Sequence, residues 1–270
     1  MEAVLREPAV AGAFYPGLAS ALERELRSLV RESPDRHDLL ACVAPHAGYV
    51  YSGGVAGELY GHLNVPRRVV VLGPNHTGIG TAVSVAPHSS WRTPMGDQPV
   101  DRELARLLVE RYPDAVFDAG AHEREHALEV QLPFLIARRP DVEILPVCLA
   151  HLSIDACLQL GHALAGLVRE LGEIGIVASS DMSHYLPDKK ARELDRLAID
   201  AVVSLSPHTL YETVHGHGIT MCGVVPATVA LAAASELGAT AAHLVAYATS
   251  GDVNNDRSAV VGYAGICIHN

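Results

Sequence analysis

The sequence is poor in aromatic residues and in long apolar segments. Aromatic residues make up 5% of the 270 positions, with three Phe and one Trp. No apolar run approaches the roughly 18 residues that are needed to cross a bilayer, so we do not expect a membrane protein. The first residues, MEAVLREPAV, combine neither a basic start nor a long apolar stretch, and we expect no secretory signal.

Several familiar chemical signatures are also missing. The five cysteines are widely spaced and include no CxxC pair, which argues against a disulfide framework and favours a reduced, cytoplasmic location. Lys and Arg total 20 against 31 Asp and Glu, and they form no dense basic block, so we expect neither nucleic acid nor an anionic membrane as a partner. The sequence has no GxSxG elbow and no Walker lysine, so neither an α/β-hydrolase serine nor a P-loop is supported.

The chain does contain ample material for a buried core. Hydrophobic residues make up 49% of the sequence and charged residues 19%, which excludes a disordered chain. With so few aromatic side chains, this core must consist mainly of Ala, Val, Leu and Ile. No linker, repeat or break in composition divides the sequence, so we predict one domain over residues 1–270.

Short apolar runs alternate with segments of helical spacing along the chain. The runs lack polar alternation, which is typical of strands that are covered on both faces. We predict strands at Ala41–Ala44, Val69–Leu72, Val142–Val147, Gly175–Ala178 and Val260–Cys267. This alternation predicts an α/β fold in which helices cover both faces of a central, largely parallel or mixed sheet.

The predicted helices are amphipathic. The residues that share a helix face are Leu22, Leu26, Leu29 and Val30; Leu104, Leu107 and Leu108; Leu160, Leu164, Leu167, Val168 and Leu171; and Leu194, Leu197, Ala201, Val202 and Leu205. We expect Ser20 to cap the first helix. Pro226 fits the first turn of a last, alanine-rich helix that runs through Leu237.

Three predicted strands are each followed by a histidine. His46 follows the first strand, His76 follows the second, and Asp181 and His184 follow the fourth. Ligands of open α/β sheets bind beyond the carboxyl ends of the strands, and neutral imidazole is the commonest metal ligand. Any single histidine could equally be a polar loop residue or a hydrogen-bonded buried imidazole. Three in the same topological position favour a metal site.

A cysteine completes this possible site. Cys222 comes directly before Gly223 and the start of the last helix. The positive end of a helix dipole favours the thiolate, which is the form that binds metal. The alternative is a small buried apolar residue, which is the usual environment of cysteine.

The segment from His122 to His126 matches the HExxH signature of zinc proteases. In that signature both histidines lie on one face in the middle of a helix. Here Gly120 and its neighbours indicate a helix start, so His122 would fall at or before the cap and would not share a face with His126. Glu125, His126 and Glu129 could still reach a pocket from the first turns of this helix.

Taken together, a set of motifs resembles the Memo family over nearly the whole chain. They are the opening AVAGAFYPG, then APHAGYVYSG, LGPNHTG, HALEVQLPFL, SSDMSHY, MCG and the closing GYAGI. Memo proteins are structurally similar to the class III, LigB-type extradiol dioxygenases, in which two histidines and a carboxylate hold a non-haem Fe(II). The resemblance therefore implies a single α/β domain with a dioxygenase-like pocket at one end of the sheet.

The resemblance also implies roles for individual residues. His46 and His76 match the two histidine ligands, and Cys222 matches the Memo cysteine that replaces the dioxygenase carboxylate. His184 matches the catalytic histidine, as an acid/base that Asp181 beside it would orient. Fe(II) is the expected cofactor. Copper and zinc are alternatives, because a thiolate makes the site softer.

Two functions follow from the resemblance, and they differ in class. The first is a metal-dependent, dioxygenase-type oxidoreductase acting on a small catechol-like molecule. The second is a non-catalytic protein that binds a peptide or small anion in the same pocket, since some Memo proteins are described as signalling adaptors that bind phosphorylated peptides. The HExxH zinc hydrolase is a third, weaker alternative, and the sequence indicates no oligomeric state. The residues that we expect to contact a substrate or to form apolar walls are Tyr49, Tyr51, Trp91, His126, Glu129 and Tyr185.

Overall fold

The computed structural model describes residues 4–270. The strands are β1 (Leu5–Arg6), β2 (His37–Asp38), β3 (Ala41–Ala44), β4 (Leu63–Asn64), β5 (Arg68–Pro74), β6 (Val83–Val85), β7 (Ser90–Thr93), β8 (Gly96–Pro99), β9 (Ala115–Phe117), β10 (Glu143–Leu149), β11 (Ile174–Ser179), β12 (His184–Leu186), β13 (Ala241–Thr249) and β14 (Val260–His269). The helices are α1 (Ala19–Leu29), α2 (Tyr49–Gly61), α3 (Arg102–Arg111), α4 (Gly120–Glu123), α5 (Leu132–Arg138), α6 (Ile154–Leu171), α7 (Asp188–Val203), α8 (Pro207–Gly216), α9 (Val224–Glu236) and α10 (Gly251–Asn254). A single 3₁₀ turn at Glu129–Gln131 precedes α5.

A nine-stranded mixed sheet organises the chain. Its order is β12-β14-β3-β11-β5-β10-β6-β9, with β13 paired to β14. The four central neighbours, β3, β11, β5 and β10, are parallel, whereas β14 and β6 run antiparallel to them. Every residue of β3 and of β11 is buried. This arrangement confirms the predicted single-domain α/β fold with a mixed sheet.

Helices cover both faces of this sheet. Alternate residues of the central strands enter two apolar cores, so that Val43 faces one core and its neighbour Cys42 faces the other. Helices α3, α6, α7, α8 and α9 contribute to the first core, and α1, α2 and α5 contribute to the second. Two-sided burial explains why the central strands are continuous apolar runs.

All five predicted strands are present in the structure. They are β3, β5, β10, β11 and β14, and four of them extend beyond the predicted bounds. The longest strand that the sequence analysis missed is β13, whose sequence AAHLVAYAT is rich in alanine. Pairing with β14 along its whole length, from Ala241 to Thr249, makes this segment a strand.

The predicted helices are present, with corrections at their ends. Ser20 does not cap α1, because the helix begins at Ala19 and its N-cap is Leu18, which makes no side-chain capping bond. Leu205 lies beyond the end of α7 at Val203 and has a positive φ of 57°. Pro226 lies in the first turn of α9, as predicted. Among the helices of residues 4–270, none has the length and apolar character that spanning a bilayer requires.

The topology brings three strand ends to one edge. Because β11 lies between β3 and β5 and is parallel to both, the carboxyl ends of all three are adjacent. The residues that follow these ends are His46, Asp181 and His76. The opposite end of the sheet carries the amino ends of the parallel strands together with the carboxyl end of β14, where Ile268 pairs with Ala41.

Helices α6 and α9 pack so closely that a single added methyl group at their contact tests this packing. A Cβ at Gly161 of α6 would lie 2.5 Å from Ala232 Cβ and 3.0 Å from Ala233 N. We therefore expect Gly161→Ala to lower the free energy of unfolding by about 1–3 kcal/mol, measured by urea denaturation.

Gly166 of the same helix is the matched control. A Cβ there would approach the end of the flexible Arg111 side chain at 3.4 Å. We expect Gly166→Ala to leave stability unchanged or to raise it by up to about 1 kcal/mol through helix propensity. Equal effects of the two substitutions would contradict the close α6–α9 packing.

Candidate metal centre

His46 is held in one orientation by a buried hydroxyl. Its side chain is 2% exposed, and its Nδ1 lies 2.9 Å from Ser179 Oγ. Ser179 Oγ donates its hydrogen to Ala127 O at 2.7 Å and accepts a hydrogen bond from Gln131 Nε2 at 2.8 Å. A hydroxyl has one hydrogen to donate, so His46 Nδ1 must be the donor to Ser179. The lone pair of His46 is therefore on Nε2.

The pKa of His46 supports a neutral ring. Burial lowers this pKa well below its usual value, and the nearby imidazoles of His126 and His76 lower it further. A neutral imidazole with a free Nε2 lone pair is the form that binds a metal ion.

Glu125 holds His76 in the corresponding way. His76 Nδ1 lies 2.9 Å from Glu125 Oε1, and the His76 backbone N–H donates to Oε2 at 2.6 Å. Burial acts to raise the pKa of Glu125, but the hydrogen bonds from His76 and from the Ala127 N–H outweigh it and lower the pKa. The carboxylate accepts hydrogen bonds only, so Nδ1 of His76 carries the hydrogen and Nε2 is free. A carboxylate behind a histidine is the usual support of a metal ligand.

His126 joins these two residues in a compact cluster. The donor atoms of His46, His76 and His126 all lie within 4.8 Å of one another. The rings of His76 and His126 are stacked with centroids 4.7 Å apart, and His46 stands edge-on to both. His126 Nδ1 is 3.4 Å from the same Glu125 oxygen that His76 contacts. Imidazole donors of this kind suit zinc, copper, iron and nickel.

Cys222 lies beside the histidine cluster, where its sulfur contacts His46. Its Sγ lies 3.3 Å from His46 Nε2 and accepts the Asp181 N–H at 3.2 Å. Gly223 makes this approach possible, because a Cβ at this position would lie 2.4 Å from both Ser179 O and Ser180 Cβ. The loop before α9 therefore packs directly on the end of β11.

The structure corrects the expected ionisation of Cys222. Burial raises the pKa of this thiol well above its usual value, and the Asp181 carboxylate adds to the effect. Both influences outweigh the hydrogen bond from the Asp181 N–H, which lowers this pKa, and the thiolate that we expected at the helix start is not favoured. The sulfur is therefore a neutral thiol unless a cation is bound beside it, since a coordinating metal deprotonates a thiol.

Asp181 follows the end of β11 and His184 begins β12, but the two side chains do not form the expected pair. Asp181 is 5% exposed, and its Oδ1 accepts the backbone N–H of His46 at 2.8 Å. Burial raises the pKa of Asp181 to about 6. His184 Nδ1 instead lies 2.9 Å from Thr220 O, so a backbone carbonyl orients the ring where we expected Asp181 to do so. Since a carbonyl only accepts hydrogen bonds, Nε2 of the neutral His184 ring carries the lone pair.

Glu129 lies deep in the protein and binds the N-terminal segment. Its Oε1 accepts the Tyr15 hydroxyl at 2.6 Å and the Val10 N–H at 3.0 Å, and its Oε2 pairs with Arg6 and the Ala9 N–H. Both oxygens are thus occupied within the protein. These contacts give Glu129 a structural role, and its substrate contact stays a prediction.

The predicted aromatic wall residues differ in their exposure. Tyr49 is buried and donates its hydroxyl to Val130 O at 2.9 Å, whereas Tyr185 is 78% exposed and has a positive φ of 59°. Tyr51 is also exposed, and Trp91 is buried beneath the Arg6 guanidinium, 4.2 Å from the ring centre. Tyr49 and Trp91 are therefore parts of the buried interior, and the contacts of all four residues with a substrate stay predictions.

The HExxH segment is not a continuous helix. Helix α4 ends at Glu123, and His126 lies in the following loop. His122 falls inside the short helix rather than at its cap, and its ring points away from His126 to Ser84 O, at 3.1 Å from Nε2. The segment therefore lacks the geometry of a zinc-protease helix, as predicted. The physical reason differs from the predicted one, because the helix ends before His126 instead of beginning after His122.

Sequence reasoning missed most of the residues that support the site. Glu125 was expected near a pocket, but its bond to His76 was not foreseen. Ser179, Gln131 and Thr220 were not singled out at all. Each acts through a hydrogen bond to a residue far away in the chain, up to 133 positions from Ser179 to His46. The one signal for Ser179 in the sequence was its position at a strand end, two residues before Asp181.

The fold and the histidine cluster describe an α/β protein with a candidate metal centre beyond the carboxyl ends of three parallel strands. The family profile described as Memo-like protein matches residues 6–267. MEMO1 family proteins of Methanosarcina barkeri and Aquifex aeolicus are each 43% identical to this chain. The first alignment covers 98% of this chain and 100% of the relative, and the second covers 97% and 98%. The chain belongs to the Memo family.

A solved structure supports the fold at lower similarity. The crystal structure of an uncharacterized protein from Escherichia coli K12 matches with a TM-score of 0.60 and 15% identity. The match covers 85% of this chain and 99% of the other. At this identity the likeness shows the fold alone.

The position of Glu129 generates a test of its role. Glu129→Gln keeps the shape of the side chain but leaves the buried Arg6 guanidinium without its counter-charge. We expect the free energy of unfolding to fall by about 3 kcal/mol or more, with metal binding by the folded variant unchanged. Chemical denaturation and metal titration measure the two quantities.

Glu123→Gln, at an exposed position in the same segment, is the control and should leave both quantities unchanged. A Glu129→Gln variant of full stability with a weakened substrate interaction would instead favour the substrate-binding role.

Proposed function

We propose that this protein binds a divalent metal ion through His46, His76 and Cys222, and that it is a dioxygenase-type oxidoreductase whose metal is Fe(II). The observation that carries the proposal is the short approach of Cys222 Sγ to His46 Nε2, at 3.3 Å. Metal bonds of about 2.0–2.1 Å to nitrogen and 2.3 Å to sulfur, at angles of about 90–109°, separate two ligands of one ion by roughly 3.1–3.6 Å. The observed distance falls within this range.

The hydrogen bonds behind the ligands also fit a metal. Ser179 and Glu125 bind Nδ1 of His46 and His76, so both lone pairs are on Nε2 and neither ring needs to change its tautomer to bind an ion. The thiol of Cys222 loses its proton only beside a cation, so its role as a ligand is coupled to metal binding. This donor set is softer than two histidines and a carboxylate, which leaves copper and zinc as alternatives to iron.

His126 is the competing third ligand, because its donor atoms lie in the same cluster. We assign it to the substrate side of the site. Cys222 is the better ligand because its sulfur is already beside Nε2 of His46, whereas Glu125 lies 3.4 Å from Nδ1 of His126 and is shared with His76. This choice is directly testable.

The chain itself supplies the acid/base chemistry. A bound metal would provide the positive charge that favours ionisation of a catechol-like hydroxyl. His184 accepts the proton of this hydroxyl at Nε2, while its Nδ1–H stays fixed on Thr220 O. Asp181 acts as a positioning residue, because it binds the His46 backbone and its main-chain N–H contacts the Cys222 sulfur.

The ligand set predicts which substitutions remove the metal. We expect His46→Ala and Cys222→Ala to lose the bound iron equivalent of the anaerobically purified protein while the fold survives. His126→Ala is the matched control and should keep it. Elemental analysis measures the iron, and circular dichroism measures the fold. Full iron occupancy in both of the first two variants would exclude this site.

A cobalt-substituted sample separates the two possible third ligands. Cobalt bound to a thiolate shows a near-ultraviolet charge-transfer band, so we expect this band in the wild type and in His126→Ala but not in Cys222→Ser. A wild-type cobalt protein without the band would assign the third position to His126.

The proposed acid/base role predicts a loss of turnover without a loss of metal. We expect His184→Ala to keep its iron and to slow oxygen uptake with a catechol by about 100-fold or more, while His208→Ala, at an exposed histidine elsewhere, behaves as wild type. Iron-loaded wild type that consumes no oxygen with any catechol tested would overturn the oxidoreductase. The binding function would then be favoured if a peptide or small anion bound regardless of chelators.

A further inference from the structure

A second cluster of histidines lies at the opposite end of the sheet. Its members are His37 on β2, His243 on β13 and His269 at the end of β14. His243 pairs with Cys267, and His269 pairs with Ala241, so the two histidines are diagonal neighbours on one face of the β13–β14 pair. The preceding residue, Ile268, pairs with Ala41 at the start of β3. The cluster is therefore at the amino ends of the parallel strands, away from His46 and Cys222.

The three imidazoles are as close together as those of the first site. Their donor atoms all lie within 4.8 Å of one another. The rings of His37 and His269 are stacked with centroids 3.8 Å apart, and the His243 ring stands 5.3 Å and 5.4 Å from them. All three side chains are half-buried, so solvent reaches the cluster.

Hydrogen bonding leaves a ligand atom free on this cluster too. His269 Nδ1 lies 2.8 Å from Asn270 O, which can only accept, so Nε2 of the neutral ring carries the lone pair. A fourth histidine, His62, is adjacent, since its carbonyl accepts the His37 backbone N–H at 2.9 Å. His62 Nδ1 donates to Glu58 O, which again leaves Nε2 free.

The cluster also borders a cleft. A space of about 530 Å³ is lined by His37, His269 and Asn270, together with residues at the ends of β4 and α6. An ion on the three imidazoles would therefore have open coordination positions toward solvent. Burial lowers the pKa of His37 and His243, and the neighbouring imidazoles lower it further, which favours the neutral, metal-binding form of these two rings.

We propose that His37, His243 and His269 form a second metal site, which takes Zn²⁺ or a similar borderline divalent ion. Three neutral imidazoles with no carboxylate or thiolate among them suit such ions and not Mg²⁺ or Ca²⁺. Metal–nitrogen bonds of about 2.0–2.1 Å bring donor atoms to roughly 3.3–3.5 Å in tetrahedral geometry. Half-buried side chains at strand ends reach this spacing by small rotations. The site does not rest on the function proposed for the first centre.

The experiment counts zinc ions in the untagged full-length chain. After removal of metal by a chelator, equilibrium dialysis against Zn²⁺ should give two equivalents for the wild type. We expect one equivalent in the His243→Gln/His269→Gln variant, one in the His46→Ala/Cys222→Ala variant, and none when all four substitutions are combined. His208→Ala/His217→Ala removes two exposed histidines elsewhere and should keep both equivalents.

The two sites fail in distinguishable ways. Retention of both equivalents by the His243→Gln/His269→Gln variant, or a wild type whose only equivalent depends on His46 and Cys222, would overturn the second site. One wild-type equivalent that depends on His243 and His269 would support the second site and would exclude zinc, but not iron, as the metal of the first.

A spectroscopic measurement on the wild type avoids any question of unfolding in the variants. Imidazole nitrogen resonances of His37, His243 and His269 should shift as Zn²⁺ is added up to two equivalents, and those of His208 should not. Unchanged resonances in the cluster would overturn the proposal.

Discussion

The pairing of β11 with β3 on one side and β5 on the other is the constraint on which the candidate metal centre depends. The register matches Ser179 with Ala44 and Ala178 with Leu72, so the three parallel strands end at nearly the same level. The chain leaves this edge at three adjacent points, and each exit carries a polar residue of the site. Two-sided burial of β3 and β11 makes the pairing rigid, because any shift of register would move apolar residues out of both cores. Short turns after rigid strands then hold the side chains in place.

Hydrogen bonds to Nδ1 orient the histidine rings at this edge of the sheet. Ser179 and Glu125 fix Nδ1 of His46 and His76, and Thr220 O does the same for His184. All three rings present Nε2 as a result. The Cys222 thiol differs, since burial beside Asp181 keeps it protonated in the absence of a cation. Metal binding in the proposed site would thus release a proton from one ligand only.

The two ends of the same sheet carry histidine clusters of different chemistry. The carboxyl end combines imidazoles with a thiol and with the buried carboxylates of Glu125 and Asp181. The amino end offers three half-buried imidazoles beside an open cleft that Asp38 and Glu173 also line. The antiparallel direction of β14 is responsible, because it brings His269 to the end of the sheet where β3 begins. A purely parallel sheet would have placed this residue at the other edge.

The amino-acid sequence by itself determined the class of fold, five of the strands and the three histidines that follow strand ends. Continuous apolar runs such as Val69–Leu72 are local signals, and residues directly after a strand are located by it. The motifs also sufficed to identify the family, because they span nearly the whole chain. Only the tertiary structure decided the partners of these residues. Glu129 binds Arg6, which is 123 positions away, and His37 stacks on His269 near the other end of the chain. Neither contact can be predicted from the local spacing of residues. The ionisation of Cys222 was decided in the same way, since burial and the nearby Asp181 charge, which raise the pKa of its thiol, are properties of packing.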